Sequence, residues 1–434
     1  MKKEIIRILE ARQAERWIRR DKFTALNPEL EEQVRSIIEE VKSRGDEALI
    51  SFTKKFDNVK LEISDLKVDR EEIEKAYEKV TDRQIKAIEE AKKRLEIVEG
   101  KLLESLNTSV ELKGIKIRFS VRPIESVGCY VPGGRAAYPS TLIMTTTPAK
   151  LAGVPRVTVC SPPAPDGTIN PLILVSADIC KVDEFYRVGG AQAIAAMAYG
   201  TETIAPVKKI VGPGNKYVTA AKILVSKDVA IDLPAGPSEL LIIADENADP
   251  YFLALDLCSQ AEHAPDSIVG LLTTSRRIAH EVELELEKLV RIIPRSEVVV
   301  EALSNGFIVV CENEDEMIEI ANAFAPEHLE IITKNPEALV ERIFTAGIVL
   351  IGEYSTVAIS DYCCGTNHVL PTGGFGRVYS GLSALDFVKK LPIVEVSKEG
   401  LNNAVEYIRI LAEAEGLLNH YEAVKGRLKN EELP

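Results

Sequence analysis

IKIRFSVRPIESVGCYVPGG, residues 115–134, is the stretch at which the texture of this chain changes. Ile115, Ile117 and Phe119 alternate with Lys116, Arg118 and Ser120, and the run then turns apolar and ends in paired glycines, a pattern of strands entering a tight loop. Upstream, Val34, Ile37, Ile38 and Val41, then Ile73, Ala76 and Val80, recur at three- and four-residue spacing, so 28–106 reads as amphipathic helices. Downstream, short β-branched runs at 157–160, 185–188, 210–211, 229–233, 240–244 and 268–272 alternate with Ala-rich segments. A second set at 307–310, 329–332 and 348–351 keeps the rhythm, with a helix over 314–324 between. Strand and helix in alternation favour parallel sheets covered by helices.

The expected architecture is therefore α/β: two Rossmann-like parallel-sheet domains without a GxGxxG fingerprint, a helical N-terminal segment and a helical C-terminal tail. Its expected boundaries are 1–25 for the N-terminal segment, 26–129 with 240–385 for a discontinuous first α/β domain, 130–239 for the second, and 386–434 for the tail. A chain of 434 residues is long enough for two cores.

A net charge of −14 would repel phosphates, which argues against a nucleic-acid surface and leaves small-molecule chemistry as the default. There is no run of 18 apolar residues, and Lys2, Lys3 and Glu4 do not open a signal peptide, so no membrane partner and a cytoplasmic location are expected. Seven cysteines, at 129, 160, 180, 258, 311, 363 and 364, show no CxxC spacing and read as reduced thiols.

Histidine is scarce, and four of the five sit near a carboxylate or amide: His263 by Gln260, His328 by Glu327, His368 after Asp361, and His420 after Glu415. His280 lies in the charged run 276–287 and reads as a solvated helix residue. Asp249-Pro250 is a helix start, and Pro265 limits that helix, so Gln260 and His263 share one face near its end and can converge on a metal ion. A capping amide and a hydrogen-bonded imidazole would explain the same pair. Glu327-His328 offers two bases of different basicity at an element boundary, one suited to activating water and one to taking a hydroxyl proton, although a surface turn can carry such a pair. SDYCCGTNH, 360–368, follows the strand expected at 348–351, and the carboxyl edge of a sheet is where α/β proteins place ligands. Cys363 and Cys364 within it could be a nucleophile or simple packing residues. The loops around Tyr130 to Gly134, Gly189 to Gln192 and Gly212 to Asn215 each follow a strand and allow close approach of a nucleotide, while no Walker A motif appears.

Seven separated blocks, VPGGRAAYPST (131–141), GPGNKYV (212–218), DLPAGPSE (232–239), SQAEHAPDS (259–267), NAFAPEHLE (322–330), SDYCCGTNH (360–368) and EGLLNHYEA (415–423), together resemble the signature blocks of the histidinol dehydrogenase family, in order and over nearly the whole chain. The resemblance implies a homodimeric enzyme that oxidises L-histidinol through bound L-histidinaldehyde to L-histidine, reducing two NAD, at the end of histidine biosynthesis. It implies one zinc ion per subunit held by Gln260, His263, Asp361 and His420, a mixed shell that would also accept manganese or cobalt. Ser238, His368 and Glu415 match positions that contact substrate, as do the zinc ligands and His328. Tyr130, Gln192 and Asn215 match positions that contact NAD. Glu327 would activate water and His328 would act as general base. The tail would cross to the partner subunit, so Glu415 and His420 would complete the neighbour's site. Two other readings remain open on the residues alone: a zinc-dependent hydrolase using Glu327, and a thiol-based aldehyde dehydrogenase using Cys363 or Cys364.

Overall fold

The structure is a computed structural model that describes residues 5–18, 27–133, 137–233 and 236–428. Gly134 of the first glycine loop, and parts of the segments 1–25 and 386–434, lie outside the described residues. The described residues form two parallel sheets and one antiparallel sheet.

The strand Glu239–Ala244, ELLIIA, is buried throughout because both faces are covered. Leu240, Ile242 and Ala244 enter a core with the helices Pro250–Ala261 and Arg276–Leu289, while Leu241 and Ile243 enter another with Glu314–Phe324. The period-two alternation of strand side chains divides the segment between two apolar layers, as a central parallel strand requires. Across this sheet the order is Arg7–Glu10, Phe307–Val310, Ile268–Thr273, Glu239–Ala244, His328–Ile332 and Ile348–Ile351, all neighbours parallel. The second parallel sheet runs Glu184–Tyr186, Arg156–Cys160, Ser126–Tyr130, Lys209–Val211, Ala230–Ile231. Its winding reverses between Ser126–Tyr130 and Lys209–Val211, which opens a crevice at their carboxyl ends.

The grouping of elements differs from contiguity in the chain. The helices within 28–104 pack on the five-stranded sheet: Pro28–Arg44 lies against Gly190–Tyr199 and Lys216–Val225, and Asp82–Glu104 against Pro139–Leu151. The sequence reading groups 26–129 with 240–385 instead, and it ends that group inside the strand Ser126–Tyr130, which belongs to the other sheet. An amphipathic pattern says that a helix has an apolar face, not which sheet receives it. The helical N-terminal segment opens with the edge strand Arg7–Glu10. The tail's helices Lys398–Glu415 and Leu418–Leu428 are preceded by the strand Val388–Val396, antiparallel to Ile115–Pro123, which also pairs with Ser109–Leu112. Pro392 hides this strand in the sequence and is tolerated because Val388–Val396 is an edge.

Candidate active site

The chain reaches the site from three directions. Asp249 accepts a hydrogen bond from the Tyr251 N–H at 2.8 Å and Pro250 takes the first turn, so the helix Pro250–Ala261 starts where the sequence indicates and delivers Gln260 and His263 at its far end. The helix Glu314–Phe324 ends with Ala325 at φ 52°, and Pro326 leads Glu327 and His328 into the strand His328–Ile332. The short helix Val357–Tyr362 carries Asp361.

These groups meet at the amino ends of Glu239–Ala244 and His328–Ile332, not at the carboxyl edge that the sequence suggests for SDYCCGTNH. The helix Val357–Tyr362 brings Asp361 back across the sheet face, so that its Oδ1 lies 3.6 Å from His328 Nε2. The Glu239 backbone organises the rest. Its N–H donates to Glu327 Oε2 at 2.8 Å, and its carbonyl lies 3.2 Å from His328 Nδ1 and 3.4 Å from Gln260 Nε2, which donates to it. Glu327 Oε2 is 3.6 Å from His328 Nδ1. Gln260 is 1% exposed and His328 2%.

Burial alone would push the His328 imidazole down, yet the carboxylates of Glu327 and Asp361 outweigh it and raise the group to about 10. Burial acts to raise Asp361, but His328, His368 and His263 hold it below its ordinary value. His368 is lowered chiefly by burial, against the pull of Asp361. Its Nδ1 lies 2.9 Å from the Asp361 carbonyl and its Nε2 3.4 Å from Thr141 Oγ1.

Three buried atoms here have no hydrogen-bond partner: Gln260 Oε1, His263 Nδ1 and His328 Nε2. Orphaned buried polar atoms beside a carboxylate are a cost unless something fills the space between them, and the Gln260 amide oxygen, the His263 imidazole nitrogen and the Asp361 carboxylate are a donor set that suits a zinc-like cation. Among the described residues no three His, Cys, Asp or Glu side chains are arranged to hold a metal. Gln260 and Asp361 flank His328, and His263 is near enough to act on Asp361, while His420 is not among them: it is exposed on Leu418–Leu428, and Glu415 is exposed at the end of Lys398–Glu415. Ser238 precedes Glu239 and is half-buried, its carbonyl taken by the Ile268 N–H.

At the carboxyl edge of the five-stranded sheet, Tyr130 Oη accepts from the Gly190 N–H at 3.0 Å, and Gln192, 1% exposed, has an unpartnered Oε1. Asn215 is exposed and caps Lys216–Val225 through bonds from the Tyr217 and Val218 N–H groups. Gly212 is required before it: at φ 113° its added Cβ would stand 2.2 Å from the Tyr130 carbonyl oxygen. Beneath that loop Lys222, paired with Asp232, donates to the Gly212 carbonyl at 2.9 Å, and the Gly212 N–H donates to Asp232 at 2.7 Å. The His368–Thr141 contact joins the two edges, because Thr141 stands on Pro139–Leu151, the helix that follows the strand Ser126–Tyr130. Cys364 is exposed, with Sγ 2.8 Å from Thr366 Oγ1, and Cys363 is half-buried with its carbonyl on Arg94.

The family model for histidinol dehydrogenase matches residues 20–428. The chain belongs to the histidinol dehydrogenase family. It is 49% identical to histidinol dehydrogenase of Methanocaldococcus jannaschii over 98% of each chain, and 46% identical to that of Clostridium acetobutylicum over 93% of each. The crystal structure of histidinol dehydrogenase from Elizabethkingia anophelis matches over 99% of each chain at 40% identity with a TM-score of 0.93. The chain is thus an oxidoreductase of histidine biosynthesis. Against that membership, the residue the sequence reading overlooked is Glu239. It ends the block DLPAGPSE beside Ser238, so its place was visible, but its backbone role appears only once two strands lie in register.

Proposed function

We propose that this chain oxidises L-histidinol to L-histidine in two successive NAD-dependent steps through bound L-histidinaldehyde, the last step of histidine biosynthesis. The observation that carries the reading is the meeting of two edges: a polar cluster with orphaned buried atoms at the amino end of one sheet, and the point of strand-order reversal at the carboxyl end of the other, bridged by His368 and Thr141.

Gln260, His263 and Asp361, with His420 from a partner subunit, would hold zinc, and Tyr130, Gln192 and Asn215 would contact NAD. Bound zinc supplies a positive centre that orients the substrate, and bound NAD supplies the hydride acceptor. Ser238, His368 and the partner's Glu415 would contact the substrate. The Glu239 carbonyl engages His328 Nδ1 and favours its proton there, which leaves Nε2, 3.6 Å from Asp361 Oδ1, as the nitrogen that would take a proton. A cation held by Asp361 would offset one of the two charges beside His328, and the neutral imidazole would then be the group that takes the alcohol proton as the first hydride leaves. Glu327, anchored through Oε2 by the Glu239 N–H, presents its other oxygen to a water that adds to the aldehyde. His328 returns its proton to the aldehyde oxygen as the water adds, and the neutral imidazole then takes a proton from the hydrate as the second hydride departs.

A homodimer with shared sites is supported by the tail. Val394 and Val396 on the antiparallel sheet, and Tyr407, Ile410, Leu411 and Leu418 on the terminal helices, are exposed together with His420. An apolar arm of this kind in water calls for a covering surface. None of the described helices is long and apolar enough to cross a membrane, and a cytoplasmic location suits a biosynthetic reaction on NAD. The test is NADH formation on adding histidinol. No absorbance change in protein loaded with zinc would exclude this activity.

A further inference from the structure

Behind the proposed catalytic cluster lies a second polar pair. His328 and Glu330 project from the same face of His328–Ile332, towards the helix Pro250–Ala261, because they are two residues apart on a strand. That helix answers with Gln260 and Asp256, four residues apart. The spacings agree: two strand residues advance about 6.6 Å and four helix residues about 6 Å, so an antiparallel helix can face both strand residues at once. Gln260 Nε2 lies 3.5 Å from His328 Nδ1, and Asp256 stands opposite Glu330 with the two carboxyl groups near enough to act on each other.

The second pairing consists of two acids. Glu330 is 1% exposed and Asp256 7%. Glu330 Oε1 accepts from the Val357 N–H at 3.0 Å, whereas Oε2 is buried without a donor. Two buried carboxylates in contact would repel and leave lone pairs unsatisfied, whereas one proton between them turns the same contact into a strong hydrogen bond. Burial raises both acids, Glu330 well above its usual value with Asp256 as a further cause. The three elements joined in this way are the strand of His328, the helix of Gln260 and the helix Val357–Tyr362, which carries Asp361 one turn beyond Val357.

We propose that Asp256 and Glu330 share a single proton and act as a positioning pair, locking the helix Val357–Tyr362 so that Asp361 is held opposite His328. The importance given to Asp361 rests on the function proposed above, while the shared proton does not. If Glu330 carries the proton, Gln reproduces it: its amide donates to Asp256 and its oxygen accepts from Val357.

The test is infrared spectroscopy of the full-length protein at about pH 8, where Glu99 and Asp57, each raised to about 6, have ionised. A carbonyl band of a protonated carboxylic acid is expected in the wild type and not in Glu330→Gln. Hydrogen exchange over 352–364 should be unchanged in Glu330→Gln and faster in Glu330→Ala. Titration with zinc alone should show near-normal affinity in Glu330→Gln and a loss of roughly tenfold or more in Glu330→Ala. The proposal is overturned if the wild type lacks the band, if the band survives in Glu330→Gln, or if exchange in Glu330→Gln is as fast as in Glu330→Ala. A wild type that takes up no zinc would count against the metal reading, and the band and exchange would still decide the pair.

Discussion

Glu327 and His328 are neighbours in sequence with different neighbours in space. One carboxylate oxygen of Glu327 is fixed by the Glu239 N–H, while His328 stands between Glu327 and Asp361. If Glu327 serves the hydration step, Glu327→Gln should leave the first oxidation working. A rapid-mixing experiment should then show about one NADH per site, followed by turnover slowed by roughly 10² to 10⁴. Equal loss of both phases would move Glu327 to another role. The thiols can be judged at the same scale. Cys364 contacts Thr366 and Cys363 is tied by its backbone to Arg94, so the double substitution Cys363→Ala/Cys364→Ala is expected to keep turnover near normal. A folded but inactive double variant would bring back covalent thiol chemistry. Pairing by chain adjacency, Gln260 with His263, Glu327 with His328 and Asp361 with His368, was legible in the sequence. The contact of His328 with Asp361 was not, since it spans two strands and a helix.

Among the elements, the helix Asp82–Glu104 shows how a buried acid couples packing to pH. Glu99 is 2% exposed and accepts from the Ala384 N–H at 2.6 Å, and burial raises it from 4.5 to about 6. The fold therefore favours the neutral acid: its contribution is full below about pH 4.5 and is lost as pH rises through about 6. Glu99→Gln keeps the acceptor without the charge, so it should stabilise at neutral pH by up to about 2 kcal/mol and give no gain below about pH 4.5, read by denaturant unfolding at both values. Equal gains at both would show that ionisation is not the cause. Interior strands such as Glu239–Ala244 and Phe307–Val310 were readable because buried parallel strands are continuous apolar runs. The edge strands Arg7–Glu10 and Val388–Val396 were not, one being four residues long and the other containing a proline. The amino-edge position of the site also escaped the sequence, because the helix Val357–Tyr362 reverses the direction that the strand before it implies.

For the whole molecule, the two sheets present opposite ends to each other where His368 meets Thr141, and the terminal helices leave His420 and Glu415 exposed. If those residues complete a partner's site, a dimer of one Glu327→Gln subunit and one His420→Ala subunit contains one site with neither lesion. Mixing the two inactive variants under subunit exchange should restore up to about a quarter of wild-type activity, since half of the dimers are mixed and each has one intact site of two. No recovery while exchange is demonstrated would place His420 outside the partner's site. The measurement that tests the account most directly is a count of NADH per histidinol consumed by anaerobically purified protein, before and after metal removal. Two NADH per histidinol are expected, lost with the metal and regained with zinc. A count of zero or one, or two that persist after complete metal removal, would contradict it.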